Sequence, residues 1–100
     1  MSLNIEKKID EEICVILTGR LDTSSSPDLE KEFDKLIPLK KPMTVDMKGL
    51  DYISSAGLRV ILMAQKNVNA NGSSLKFVNA NDIIMDIFEM TGFIDILTIE

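Results

Sequence analysis

Apolar and polar residues alternate loosely through Leu3-Asn4-Ile5-Glu6-Lys7-Lys8-Ile9, the pattern of a half-exposed edge strand. The acidic run Asp10-Glu11-Glu12 follows as a solvated turn. From Ile13 to Thr18 runs a continuous apolar stretch rich in β-branched residues. It predicts a strand buried on both faces, with its thiol Cys14 in the interior, ended by Gly19.

The period then changes. Leu29, Phe33, Leu36 and Ile37 recur at helical spacing behind a polar loop, Leu21-Asp22-Thr23-Ser24-Ser25-Ser26-Pro27. A serine cap, Pro27 in the first turn and the acids Asp28 and Glu30 mark the helix start, and Pro38 and Pro42 close it. Met43 to Met47 reads as a strand broken by Gly49. A second helix is predicted from Ala56 to about Val68, with Leu58, Ile61, Leu62 and Val68 on one side and Asn69-Ala70-Asn71-Gly72 as its stop. Leu75 to Val78 is the next strand. Asn81 or Asp82 caps a third helix that turns Ile83, Ile84, Ile87 and Phe88 inward and ends at Gly92. Ile94 to Ile99 completes the series as a short last strand.

The order β-β-α-β-α-β-α-β implies an α/β fold, a mixed sheet of about five strands with three or more helices on it. No repeat or linker divides the chain, so residues 1–100 form a single domain. Such folds place their sites at the carboxyl ends of parallel strands.

Composition narrows the function. The chain has no histidine and no tryptophan, so neither a Ser-His-Asp device nor the commonest neutral-pH general acid/base is available. One cysteine without histidine cannot complete a zinc site, and no carboxylates fall in a calcium-loop pattern. No cofactor or metal is expected, and an enzyme reading has little support. The net charge of −5 disfavours nucleic acid, which needs a basic face. The N-terminal run Met1-Ser2-Leu3-Asn4-Ile5 has no leader character, no apolar run is long enough to span a membrane, and the lone cysteine suits a reducing compartment. A cytoplasmic binding module is the expectation.

One junction stands apart, Asp51-Tyr52-Ile53-Ser54-Ser55-Ala56-Gly57-Leu58-Arg59. Two serines meet a helix start. Either Ser54 or Ser55 can accept from the free N–H groups of the first turn, and Gly57 would let another protein's backbone come close. The positive end of the helix dipole also favours an anion there.

The run Val45 to Leu62 around this junction resembles the signature of STAS domains, and more narrowly of bacterial anti-sigma factor antagonists. Leu17-Thr18-Gly19-Arg20-Leu21-Asp22 is similar to the family's strand-to-loop turn, and Met90-Thr91-Gly92-Phe93 to the end of its third helix. The resemblance implies a STAS (SpoIIaa-like) fold. It also implies that Ser55, two positions before the motif glycine, is phosphorylated by an anti-sigma factor serine kinase of the GHKL type. The unphosphorylated form then binds that kinase and frees the sigma factor, and a PP2C-type phosphatase resets the system. The partner-binding set so implied is Asp22, Thr23, Ser54, Ser55, Ala56, Gly57 and Arg59, with Arg59 one turn on and within reach of the phosphate. Family members often carry aspartate where this chain has Ser54, which reads as a cap or contact residue. Members also commonly end in a further helix, and no such segment precedes Glu100. An alternative of another class is a STAS subunit that docks to a membrane transporter ATPase without phosphorylation.

Overall fold

A computed structural model describes residues 3–100, so Met1 and Ser2, the first two positions of the run read for a leader, lie outside the described residues. Four strands, β1 (Leu3–Ile9), β2 (Ile13–Leu21), β3 (Met43–Ile53) and β4 (Leu75–Val78), form one sheet in the order β1-β2-β3-β4. The β1–β2 pair is antiparallel, joined by the acidic turn, while β3 lies parallel to both β2 and β4. The two parallel crossovers are made by α1 (Ser26–Leu36) and α2 (Ser55–Ala70), and α3 (Asp82–Thr91) follows β4.

Burial alternates along the strands. Ile13, Val15 and Leu17 of β2 sit beneath the helices with Val45 and Met47 of β3 and Phe77 of β4, all at most 1 % exposed. Cys14 and Ile16 face the other side and are only partly buried, so β2 is covered on one face rather than two. Leu29 and Phe33 of α1, Leu58 and Ile61 of α2, and Ile84 and Phe88 of α3 complete the core. Ile37 packs at its margin, Leu62 is only partly buried, and Ile83, expected to point inward, stands 60 % exposed.

Two glycines expected to end strands instead lie within them. β2 runs through Gly19 to Leu21, and β3 through Gly49 to Ile53. The ladder survives because it slips its register here, between Ile16 and Thr18 and again between Gly19 and Arg20. Gly19 takes φ 103°, open to glycine, and a Cβ on Gly49 would stand 3.0 Å from the Thr18 hydroxyl. The added length carries both strands to the end where the loops meet.

The fifth strand is reduced to one bridge. Phe93–Asp95 forms a single 3-10 turn after Gly92, and only Ile99 pairs with Phe77. Thr98 accepts from the Phe77 N–H and Glu100 donates to the Phe77 carbonyl, at 2.8 and 2.9 Å. With β4 only four residues long, little edge remains for a longer partner.

Candidate functional site

The register of β2 and β3 builds the site. Leu21 and Ile53 are paired at the carboxyl ends of their strands, and the Ser54 N–H donates to the Leu21 carbonyl at 2.8 Å. The loop after β2 and the start of α2 are thereby brought side by side.

Ser54 and Ser55 have different tasks. Ser54 keeps an extended backbone, and its side-chain oxygen accepts from the Gly57 N–H at 3.2 Å, which makes it the cap of α2. Ser55 is the first helical residue and is exposed. Its hydroxyl takes no side-chain hydrogen bond among the described residues, so the oxygen stands free at the positive end of a helix of 16 residues.

Gly57 lies beneath this surface. A Cβ there would stand 2.7 Å from Leu21 Cγ and 3.0 Å from the Leu21 carbonyl oxygen. The space at Gly57, expected to admit another protein's backbone, is instead taken up by Leu21 of the same chain, which seats α2 on the end of β2.

Asp22 organises the adjoining loop. Its carboxylate accepts from the Ser24 hydroxyl at 2.8 Å and from the Ser24 and Ser25 N–H groups at 3.1 Å each. These bonds, the Ser24 hydroxyl foremost, together hold the Asp22 carboxyl below its ordinary pKa against an opposing desolvation. The buried Ser25 hydroxyl accepts from the Asp22 N–H at 2.9 Å and donates to the Arg20 carbonyl at 2.8 Å. Serines that read as caps thus close the loop: Ser25 precedes α1 without a side-chain capping bond to it.

Thr23, Ala56 and Arg59 meet in a groove between the first turns of α1 and α2, which Pro27, Val60 and Met63 also line. Arg59 forms no ion pair among the described residues. Two further residues of this end escape a linear reading: the Arg20 guanidinium lies 4.5 Å over the ring of Tyr52 and 3.9 Å from the Asp22 carboxylate. They meet because they are register partners across β2 and β3. Met63 could have been found from helical spacing, seven residues beyond Ala56.

Among the described residues no three His, Cys, Asp or Glu side chains gather as a metal site, and no helix is long and apolar enough to cross a membrane. A mixed sheet with helices on one face, and a helix N-terminus presented beside the preceding strand's loop, define the class as an α/β interaction module. The family model for the STAS domain matches residues 4–100, and the chain belongs to that family. It is 33% identical over 103 residues to an anti-sigma-B factor antagonist of Bacillus subtilis, covering 99% of this chain and 92% of the relative. Among solved structures, an anti-sigma factor antagonist from Mycobacterium paratuberculosis superposes with a TM-score of 0.87 at 16% identity, covering 98% of this chain and 85% of that one. The Bacillus cell fate determinant SpoIIAA in its phosphorylated form gives 0.73 at 15%, covering 99% and 91%. These two likenesses concern the fold.

Proposed function

We propose that this chain is an anti-sigma factor antagonist working in the cytoplasm by partner switching. In this reading the unphosphorylated form binds an anti-sigma factor serine kinase of the GHKL type and so frees a sigma factor. Phosphorylation of Ser55 ends that binding, and a PP2C-type phosphatase restores it. The chain acts as a binding protein, without catalysis of its own.

The observation that carries the reading is the division of labour between the two serines. Ser54 spends its oxygen on the cap, while Ser55 presents a free hydroxyl on the surface. The relative in Bacillus subtilis bears the name of an anti-sigma-B factor antagonist, and SpoIIAA, which shares the fold, exists in a phosphorylated form. Both support the assignment.

The mechanism follows from charge. A phosphate adds about −1.5 to −2 charges at neutral pH, and the helix N-terminus tolerates it within the domain. In the complex the same group would be desolvated against a partner. A loss of about 3 kcal/mol weakens binding roughly a hundredfold, enough for a switch. The proposed contact surface comprises Ser54 and Ser55 at the start of α2, Thr23, Ala56 and Arg59 lining the groove, Asp22 in the adjoining loop, and Gly57 as the seat beneath.

The test is phosphate incorporation from ATP in the presence of the partner kinase, followed by binding of each form. Incorporation is expected in wild type and Ser54→Ala and lost in Ser55→Ala, with Ser55→Asp binding the kinase roughly a hundredfold more weakly. Full incorporation in Ser55→Ala, or a phosphorylated form that holds the kinase as tightly as the bare one, overturns the proposal.

A further inference from the structure

The charge of this chain is unevenly placed. Residues 1–76 balance eleven Lys plus Arg against eleven Asp plus Glu, so the whole net charge of −5 resides in residues 77–100, which contain no basic residue. Of its five acids only Glu100 has an ion-pair partner among the described residues, Lys76 at 3.4 Å. Asp82, Asp86 and Glu89 all lie on α3.

The same helix carries apolar side chains that the core does not use. Ile83 is 60 % and Met90 80 % exposed, and between them Ile87 is partly buried against the core with its outer side still open. At about 100° per residue, Ile83, Ile87 and Met90 form one stripe, set beside the buried face of Ile84 and Phe88. The three acids cluster on the side opposite that buried face, with Asp86 bordering the stripe. An apolar strip with a single-sign acidic border is unlike the mixed, solvated surface of an ordinary exposed helix.

We infer that this face of α3 is a second docking surface, separate from Ser55, and that its occupant is a basic amphipathic helix of a partner protein. Such a helix would lay its apolar residues on Ile83, Ile87 and Met90 and its lysines or arginines against Asp86 and its neighbours. Charge favours this occupant over the others. A second copy would bring two uncompensated acidic borders together, and an anionic membrane would be repelled.

The test uses the full chain and a synthetic amphipathic peptide of leucine and lysine, with a leucine–glutamate peptide of the same spacing as control. Amide shifts on titration with the lysine peptide are expected on α3 and the turn after it. Affinity is expected to fall about tenfold in the double variant Ile83→Ser, Met90→Ser, whose altered side chains are exposed. A comparable fall is expected in Asp86→Lys, Glu89→Lys and on raising the salt. Shifts centred elsewhere, unchanged affinity in either double variant, or equal binding of the glutamate peptide would sink the inference. So would a concentration-dependent dimer, or vesicle binding, that Met90→Ser abolishes. The readout is peptide binding rather than phosphate transfer, so failure here leaves the Ser55 reading standing.

Discussion

Gly57 and Leu21 meet where α2 is seated on the end of β2, and a Cβ on Gly57 would stand 2.7 Å from Leu21 Cγ. The atom it meets is the branch point of a fully buried side chain, with the Leu21 carbonyl oxygen at 3.0 Å behind it, so neither neighbour gives way easily. Helix propensity alone would reward alanine by up to about 1 kcal/mol. Overpacking against Leu21 wins, and Gly57→Ala is expected to destabilise by about 1–3 kcal/mol in denaturant unfolding. A more stable Gly57→Ala protein would show that α2 shifts freely on β2.

The serine pair predicts opposite thermodynamic behaviour for neighbouring substitutions. Ser54→Ala removes the acceptor for the Gly57 N–H and should cost about 1 kcal/mol. Ser55→Ala removes an exposed hydroxyl and should stay within about 0.5 kcal/mol of wild type. Chemical denaturation of the two variants, side by side, checks the ranking. Equal losses would mean that both hydroxyls serve the cap.

The Asp22 loop should be sensitive to acid. Its carboxyl titrates below its ordinary value because the ionised form accepts the Ser24 and Ser25 bonds. A depressed folded-state pKa gives stability that is present above the unfolded value and lost as pH falls through the folded one. Loop order is therefore expected to persist at neutral pH and fade below the usual carboxylate range. Carboxyl chemical shifts of Asp22, followed with the Ser24 and Ser25 amides, read this directly. In Asp22→Asn those amides should lose their pH dependence over that range, and amides that titrate as before would place their acid elsewhere.

Much of this arrangement is legible in the sequence where a local signal and the tertiary demand agree. Asn81 caps α3 by accepting from the Ile84 N–H at 2.9 Å, and Ser54 caps α2, each at or within a residue of the expected start. Long-range pairing is less visible. Nothing in linear spacing brings Arg20 over Tyr52, because that contact depends on a register set by two bulges. Ile94 to Ile99 has the composition of a strand, yet only Phe77 remains for it to pair with. Ile83 shows the limit of periodicity, since a helix of ten residues laid on a sheet covers only a narrow face. The candidate site is legible in its motif, whereas the roles of Gly57 and Asp22 within it depend on neighbours that only the fold supplies.

Gln65 ties the same helix to the end of the chain, and its loss should be felt there first. It is 1% exposed, and its side chain is fully engaged. The amide nitrogen donates to the Leu75 carbonyl at 3.3 Å and to Asn69 at 3.2 Å, while the oxygen accepts from the Thr98 N–H at 3.0 Å. Gln65→Leu keeps the volume and removes all three bonds, leaving the Leu75 carbonyl and the Thr98 N–H without their partner. A cost of about 1–3 kcal/mol is expected, since unsatisfied groups at a partly buried site lose most of their hydrogen-bond energy. Hydrogen exchange separates this from a general weakening. Thr98 and Glu100 amides should exchange faster than in wild type by more than the global loss explains, while the Val45 amide in the central strand should follow global stability alone. Uniform acceleration across all three would mean that Gln65 only fills space.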